Sequence, residues 1–394
     1  METSVTSSSS RKTINGTPKS GLLEAARVRG KLDFDVAVVG GGPSGAIAAL
    51  KCSLLGFKVA LLEKTPFQSK PCGGLLTQKS LQALNKAVDG EIPESVFSRP
   101  STLKVCYVYP DEGKSCIVDY EVLNVKRDLF DSWLREYASK RGVKVFGNTE
   151  FIKLANTQPV RILMKRRGKR LGLNVKYLVG ADGVYSTVRR QLFPNIYFET
   201  APAIQEHWEW KGEFESCFYI FFKRELTRAY AYIIPKDGTL IAGIWTPREN
   251  FKTLKARMEL FKKLLKEKLS IEPNSVLKRE IWAIPYQHVL EGLGNVVLVG
   301  DAGGFCNALT GEGISYAMES ALAASESILE ASNKDCEAVQ VYREKMKEIA
   351  AFLKEKRETA ISLTDEDCKS FVEFLEKRIN DERESFHFDF EFKY

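Results

Sequence analysis

The segment 35–45 constrains what this chain can fold into more than any other stretch of the sequence. Its first part, Val36 to Val39, is a short apolar run that predicts a buried parallel strand. Gly40, Gly42 and Gly45 follow with G-x-G-x-x-G spacing, which allows a tight turn, close approach of a pyrophosphate and packing of a helix on the strand. The N-terminal amides of that helix would favour an anion. These features predict a strand–turn–helix unit that holds phosphate.

A second apolar strand, 59–62, follows the helix and ends at Glu63. A carboxylate in that place can accept hydrogen bonds from the hydroxyls of an adenosine ribose, and it would repel a 2′-phosphate. A glycine turn alone is weak evidence, but strand, glycines, helix, second strand and acid in this order are specific. They predict a dinucleotide site without distinguishing FAD from NAD.

Two later motifs favour FAD. The segment 177–189 is a strand followed by A-D-G-x-x-S-x-x-R, and 296–305 is a strand that ends in G-D-A. Asp301 of the second motif is placed to bind a ribityl hydroxyl. The amides of 311–314, at the start of a long helix, can stabilise negative charge on a reduced flavin. Together with the N-terminal unit, these motifs predict bound FAD.

The patterning predicts two interleaved domains, and a chain of 394 residues is long enough to bury the core of both. Leu103 to Tyr109 and Cys116 to Tyr120 predict a hairpin, and 203–246 alternates as strands of an antiparallel sheet with one apolar face. The predicted fold class is therefore α/β: a Rossmann-like FAD-binding domain interleaved with an antiparallel-sheet substrate domain, with a helical C-terminus. The predicted bounds are a disordered leader at 1–30, the FAD-binding domain at 31–75, 121–198 and 281–335, the substrate domain at 76–120 and 199–280, and a helical region at 336–394.

Composition restricts the partners. The net charge of +7 suits an anionic substrate or membrane surface and is too small to indicate nucleic-acid binding. Eight cysteines without a C-x-x-C pair and three scattered histidines argue against a metal site, and they favour reduced thiols in a cytoplasmic protein. No apolar run is long enough to span a bilayer. We expect a monomer.

Two segments allow more than one interpretation of the cellular compartment and of membrane contact. The segment 1–30 is rich in serine and threonine, which is typical of a disordered leader but also of an organelle transit peptide. The segment 251–269 is a basic amphipathic helix. Core packing with a solvated lysine face is the preferred interpretation, and peripheral docking to a lipid membrane is the alternative.

The motifs resemble a known family of flavoproteins over approximately residues 33–329. Gly40–Gly45, Glu63, Arg127, Ala181–Gly183 and Gly300–Ala302 are similar to FAD-dependent oxidoreductases of the hydroxybenzoate-hydroxylase fold. Within that fold, Pro71–Gly74, Ala203–Glu206, Tyr230–Lys236 and Leu309–Ile314 resemble the geranylgeranyl reductases, which saturate isoprenoid double bonds. The motifs of the first set are shared with aromatic hydroxylases and halogenases, so they indicate cofactor and architecture rather than reaction.

The resemblance implies specific site residues. The cofactor contacts that we assign are Gly40, Gly42, Pro43, Ser44, Gly45, Glu63, Lys64, Cys72, Gly73, Arg127, Asp182, Asp301, Gly311, Gly313 and Ile314. The substrate contacts are Gln205, His207, Tyr230, Tyr232 and Pro235. Cys72 is the candidate catalytic residue, although a packed side chain is an equal interpretation. A solvated side chain is the alternative for Arg127.

The implied reaction is reduction of an isoprenoid lipid or prenyl diphosphate within lipid metabolism, with NAD(P)H or ferredoxin as electron donor. Glu206 and His207 are weaker candidates for supplying a proton. The reductase motif Y-x-W-x-F-P departs here to Tyr230-Ala-Tyr-Ile-Ile-Pro235, which alters the shape of the apolar wall. An FAD-dependent monooxygenase and a non-catalytic flavoprotein remain the alternative functions.

Overall fold

The computed structural model describes residues 34–157, 159–247, 249 and 251–381, so the predicted leader at 1–30 lies outside the described residues. The strands are β1 (Val36–Val39), β2 (Val59–Glu63), β3 (Leu75–Leu76), β4 (Phe97–Tyr109), β5 (Lys114–Val125), β6 (Lys144–Gly147), β7 (Thr149–Thr157), β8 (Val160–Arg166), β9 (Lys169–Val175), β10 (Tyr177–Gly180), β11 (Thr200–Glu209), β12 (Cys217–Phe221), β13 (Ala231–Lys236), β14 (Thr239–Trp245), β15 (Ser275–Pro285), β16 (Gly292–Leu293) and β17 (Val296–Leu298). The helices are α1 (Pro43–Leu54), α2 (Gln78–Asn85), α3 (Arg127–Lys140), α4 (Thr187–Leu192), α5 (Phe251–Leu269), α6 (Ile314–Lys334), α7 (Ala338–Ser362) and α8 (Asp365–Asp381), with short 3₁₀ helices at Glu94–Val96 and Gly300–Ala302.

The first sheet has the order β16-β17-β10-β1-β2-β6, and its strands are parallel except β16. One face packs on α1, α3 and α6, and the other packs on a small antiparallel sheet formed by β7, β8 and β9. Because both faces are covered, its strands are apolar throughout, as in β1. The carboxyl ends of β1, β2, β10 and β17 carry the glycine turn, Glu63 and the two later motifs, so the motifs meet at one edge of the sheet.

The second sheet has the order β15-β11-β14-β13-β12-β4-β5-β3 and is antiparallel except for the β12–β4 pair. The predicted α/β fold class and the predicted hairpin, formed by β4 and β5, are confirmed. The prediction of a single apolar face is wrong. Leu240, Ala242 and Ile244 of β14 face α5, whereas Tyr232 and Ile234 of the adjacent β13 face the opposite side, so both faces of the sheet are apolar.

Helix α5 buries the apolar stripe that the sequence predicts. Leu254, Met258, Phe261 and Leu265 are fully buried against β11 and β14, while Leu269 at the end of the helix is exposed. Core packing therefore accounts for the amphipathic pattern. No helix among the described residues is both long and apolar enough to cross a membrane.

Two helices extend the first domain beyond its expected bounds. α2 falls within 76–120, yet Ala83 and Leu84 lie in the core that α1 and α6 share, and α7 adds Tyr342 and Met346 to the same core. α8 instead covers β4 and β5 of the second sheet. The C-terminal helices thus belong to two different parts of the fold.

Candidate cofactor and substrate cleft

A cleft of about 1780 Å³ runs between the motif-bearing edge of the first sheet and the inner face of the second. Most of the residues assigned from the sequence line it: Gly40, Gly42, Pro43, Ser44, Glu63, Lys64, Cys72, Gly73, Arg127, Asp182, Gln205, His207, Tyr230, Tyr232, Asp301, Gly311, Gly313 and Ile314. Gly45 and Pro235 do not line it. The structure therefore brings together side chains that are up to several hundred positions apart in the chain.

The glycine turn has the geometry that a pyrophosphate requires. Gly40 has φ of +98°, and a Cβ built there would lie 2.4 Å from the carbonyl oxygen of Ala181. A Cβ on Gly45 would lie 1.8 Å from the carbonyl oxygen of Gly40, so this glycine permits packing of α1 rather than contact with a ligand. A Cβ built on Gly42 or on Gly183 would have no neighbouring atom within 4 Å. Open space at these two positions forms a cradle that fits the dinucleotide of FAD.

Glu63 lies at the end of β2 and is held by two backbone amides. Its Oε2 accepts a hydrogen bond from the Gly41 amide at 2.6 Å, and its Oε1 accepts one from the Thr65 amide at 2.7 Å. Each carboxylate oxygen keeps a further lone pair for a ribose hydroxyl. The neighbouring Lys64 forms an exposed ion pair with Glu150 at 2.6 Å, at the margin of the cleft.

Asp182 uses its carboxylate mainly within its own segment. Its Oδ2 accepts hydrogen bonds from the amides of Thr187 at 2.6 Å and Val188 at 3.1 Å, so it stabilises the start of α4. The buried Arg189 then links the two later motifs, because it donates to the carbonyl oxygen of Ala302 at 2.9 Å. The neighbouring Gly183 lines the cleft, so the A-D-G motif shapes the wall of the cleft as well as supplying a carboxylate.

Asp301 forms an ion pair with Lys70, a residue that the sequence analysis missed. Burial opposes the charged form of Lys70, but the charges of Asp301 and Cys72 outweigh it, and the pKa of Lys70 is raised. Lys70 thus holds Asp301, the predicted ribityl ligand, in position. The sequence signal for Lys70 is its position as the basic residue directly before the Pro71–Gly74 motif.

Cys72 lines the cleft next to Arg127. The Cys72 Sγ accepts a hydrogen bond from the Gly74 amide at 3.4 Å. Burial alone would raise the pKa of the thiol, but the charges of Arg127 and Lys70 outweigh it, and the pKa of Cys72 is lowered. The charges of its neighbours therefore favour the thiolate form of Cys72.

Arg127 is buried rather than solvated. It pairs with Asp131, one turn further along α3, through Nε–Oδ1 and Nη2–Oδ2 contacts of 3.0 and 2.9 Å. Burial opposes its charge, and the charges of Asp131 and Cys72 favour it, with the result that its pKa is raised. The guanidinium is thus a fixed positive charge between a carboxylate and a thiol at the edge of the cleft.

Lys236 of β13 holds the Pro71–Gly74 loop in place through a hydrogen bond to its backbone. This lysine donates hydrogen bonds to the carbonyl oxygens of Gly73 and Val125, both at 2.8 Å. Burial lowers the pKa of Lys236 to about 8. A Cβ on Gly73 would lie 2.5 Å from Ile234 Cδ1, so the loop backbone approaches the second sheet closely. The role of Lys236 was not predicted from its motif.

The segment before α6 is a compact hydrogen-bonded turn. Asn307 donates its amide to the carbonyl oxygen of Glu312 at 2.9 Å, and Gly311, with φ of +68°, donates its amide back to Asn307 at 2.8 Å. Gly313 and Ile314 then open the helix at the cleft, where its first amides have no partner within the helix. This geometry suits a group that carries negative charge.

On the second sheet, polar side chains from β13, β11 and β15 form a continuous hydrogen-bonded row. The Tyr232 hydroxyl donates to Gln205 Oε1 at 3.0 Å, and Gln205 Nε2 donates to Glu280 Oε2 at 2.7 Å. His207 Nε2 lies 2.9 Å from the same Glu280 oxygen. The hydrogen bond from His207, together with those from Lys278 and Gln205, lowers the pKa of Glu280 to about 2 against the effect of burial. Tyr232 packs flat over Gly243, the strand partner of both Tyr232 and Gln205.

Two residues of the sequence analysis point away from the cleft. Glu206 is fully buried on the α5 side, where it accepts hydrogen bonds from Trp208 Nε1 at 2.9 Å and Arg279 Nε at 2.8 Å. Burial opposes its charge, but these bonds and Lys262 outweigh it, and its pKa is lowered. It is therefore not a proton source for the cleft. Pro235 alternates with Ile234 along β13 and so also lies on the opposite face.

The C-terminal helices close one end of the cleft, which the sequence analysis did not foresee. Lys356 and Thr359 of α7, and Cys368 and Phe371 of α8, are among the lining residues. The apolar spacing of residues 368, 371, 372 and 375 is a helical stripe that indicated packing without indicating on what. The described residues contain no cluster of three or more histidine, cysteine or acidic side chains that would hold a metal ion.

Comparisons with known proteins agree with this geometry. Residues 33–353 match the FAD binding domain family. The chain is 33% identical to Protein CbrA of Escherichia coli O9:H4 (strain HS) over 302 residues, which are 73% of this chain and 79% of that protein.

Solved structures share the fold at lower identity. A geranylgeranyl bacteriochlorophyll reductase-like protein from Thermoplasma acidophilum superposes with a TM-score of 0.74 at 22% identity, covering 87% of this chain and 91% of that one. PqsL, a probable FAD-dependent monooxygenase from Pseudomonas aeruginosa, gives a TM-score of 0.65 at 19% identity, covering 86% of this chain and 99% of that one. With the glycine turn, Glu63 and both later motifs at one cleft, the chain belongs to the FAD binding domain family of FAD-dependent oxidoreductases.

Proposed function

We propose that this protein is a reductase that saturates carbon–carbon double bonds of an isoprenoid. The observation that carries the proposal is the apolar wall beside the Pro71–Gly74 loop. Phe218, Ile220 and Phe222 of the β12 region, and Tyr232 and Ile234 of β13, all face the cleft. A wall of this kind suits a hydrocarbon chain and offers little to a small polar substrate. The likeness to a geranylgeranyl bacteriochlorophyll reductase-like protein is in keeping with it.

Bound FAD, once reduced, would supply the hydride for such a reaction. The chain itself contributes position and exclusion of water, which an unactivated alkene needs because it is a poor hydride acceptor. The Pro71–Gly74 loop, held by Lys236, would form one wall, and the side chains of β12 and β13 the other. The second hydrogen arrives as a proton, for which water at the cleft is sufficient. Either NAD(P)H or a ferredoxin would supply the electrons.

Anaerobic incubation tests the reaction directly. Protein reduced with dithionite is mixed with geranylgeranyl compounds, and the products are read by mass spectrometry. Gain of hydrogen pairs supports the reductase. Oxygen-dependent consumption of NADPH with a hydroxylated product would instead identify a monooxygenase. If no prenyl substrate gives a product, the protein is a non-catalytic flavoprotein and the proposed reductase is wrong.

Cys72→Ser tests the role of the thiol. If Cys72 contributes to catalysis, the pre-reduced variant reduces the alkene more slowly while retaining FAD. An unchanged rate would exclude a catalytic role for Cys72 and leave it as a residue that shapes the charge near Arg127.

A further inference from the structure

Helix α8 lies outside the residues that match the FAD binding domain family, yet it forms part of the cleft. The family match ends at residue 353, and α8 begins at Asp365. Cys368, Ser370 and Phe371 nevertheless line the cleft opposite the second sheet. The FAD binding domain match therefore does not account for the part of the wall that these residues form.

Helix α8 is packed tightly against the second sheet. Val372 and Leu375 are 0% and 1% exposed and lie in one apolar cluster with residues of β4, β5, β12 and β13. The ring of Phe371 meets Tyr107 edge-on, with centroids 5.1 Å apart and planes at 84°. It also meets Phe222 at 6.3 Å and 79°. Such contacts hold the Phe371 ring in one orientation at the end of the apolar surface.

Polar contacts along the first half of α8 fix the position of the helix. Asp365 accepts a hydrogen bond from the Arg224 amide at 2.9 Å, and Lys369 pairs with Glu112 at 2.7 Å. Glu373 pairs with Lys114, so the β4–β5 turn is tied to the middle of α8. Exposed pairs contribute little stability singly, but together they set where the helix lies along the sheet.

We propose that α8, through Phe371, ends a chamber for a hydrocarbon chain and so sets the length of chain that the protein accepts. We call this the distal chamber; Val105, Tyr107, Val122, Ile220, Phe222 and Phe371 form it. These six side chains are apolar or aromatic, so the surface that they form suits the apolar tail of a ligand. Lys356 and Asp367 also line the cleft but are not part of that surface. The assignment rests on the proposed function only in taking the tail to be an isoprenoid.

Phe374 provides a matched control on the same helix. It is 52% exposed and is not among the residues that line the cleft, whereas Phe371, one turn earlier, faces the distal chamber. Truncation of either phenylalanine removes the same atoms from the same helix. Only the change at Phe371 should alter the space available to a ligand.

The test is a ladder of straight-chain primary alcohols from octanol to eicosanol, titrated into the full-length oxidised holoprotein by calorimetry. In the wild type, affinity should rise about threefold to fourfold for each added methylene until the chain reaches α8, and then level off. In Phe371→Ala the affinity should level off at a longer alcohol than in the wild type, and in Phe371→Trp it should level off at a shorter one. Phe374→Ala should leave the plateau unchanged.

The same plateau in all four proteins would overturn the assignment, as would an equal shift in Phe374→Ala. Phe371→Trp keeps the test valid if Phe371→Ala does not fold, since retention of FAD reports folding for each variant. The ladder does not depend on reduction of an alkene. A shifted plateau without any reduced isoprenoid would therefore reject only the reductase, and reduction with an unmoved plateau would reject only the role of α8.

Discussion

The nucleotide half and the substrate half of the cleft are built in different ways. In the nucleotide half, around residues 40–45, 63 and 300–302, the contacts are made largely by backbone amides and glycine positions that belong to short sequence motifs. In the substrate half, side chains from β12, β13, β15 and α8 converge from positions far apart in sequence. A half built from backbone tolerates almost no change in its glycines, whereas a half built from side chains can change occupant by substitution on a preserved sheet.

The largest expected effect comes from Gly45→Ala. Its Cβ would lie 1.8 Å from a backbone oxygen that cannot move independently, so we expect a loss of about 3 kcal/mol or more in the free energy of unfolding. Gly42→Ala is the matched control, because its Cβ meets nothing within 4 Å and its φ of −72° suits alanine. We expect the Gly42→Ala apoprotein to melt as the wild type does but to bind FAD at least about tenfold more weakly, since the methyl group occupies the pyrophosphate cradle.

Thermal melts of the apoproteins and FAD titrations followed by fluorescence quenching separate these two outcomes. The comparison fails if Gly45→Ala melts as the wild type does, or if Gly42→Ala binds FAD normally.

Glu206→Gln should cost stability without affecting the cleft. The carboxylate is fully buried and meets Arg279, Trp208 and Lys262, so breaking this cluster should cost about 3 kcal/mol. Its pKa is lowered in the folded state, so the contribution is present above the unfolded pKa and is lost as the pH falls through the folded pKa. The difference between wild type and variant should therefore narrow in acid.

Urea unfolding at neutral and acidic pH measures that difference. Glu259→Gln is the control, because Glu259 pairs with the same Lys262 but is 54% exposed, and it should change stability by less than about 1 kcal/mol. A loss of FAD binding in Glu206→Gln would show that the α5 side of the sheet and the cleft are coupled.

The charge state of Cys72 tests the electrostatics where the two halves meet. Arg127 and Lys70 lower the pKa of the thiol, so iodoacetamide should alkylate Cys72 in the apoprotein at a lower pH than it alkylates cysteine in the unfolded chain. Lys70→Met removes one of the two charges and should shift the pH profile upward. Peptide mass spectrometry assigns the modification to Cys72, and an unchanged profile in Lys70→Met would contradict the proposed cause.

The same contrast explains how far the sequence could lead. Gly40 and Glu63 act through the backbone geometry of the strand–turn–helix unit, so their spacing predicts a dinucleotide site, and the two later motifs extend that prediction to FAD and the α/β fold. Lys70 and Lys236 act on residues 231 and 163 positions away, through contacts that no local pattern records. The amphipathic stripe of α8 predicts that the helix packs on something, but which sheet it covers follows only from the tertiary fold.

The smallest expected effect is that of Tyr232→Phe, and it tests whether the two halves are independent. The variant keeps the ring over Gly243 and loses only the hydrogen bond from the hydroxyl to Gln205, which is 3.0 Å long. We expect a loss of about 1 kcal/mol in the free energy of unfolding, measured by urea titration, because Gln205 Oε1 loses its donor. FAD affinity should stay unchanged, since none of the atoms removed belongs to the nucleotide half. Gly243→Ala is the contrasting variant: its Cβ would lie 2.2 Å from Tyr232 Cζ, so the ring must leave the sheet. If Tyr232→Phe weakened FAD binding as much as Gly243→Ala does, the substrate half would govern the nucleotide half, and the division drawn between them would be wrong.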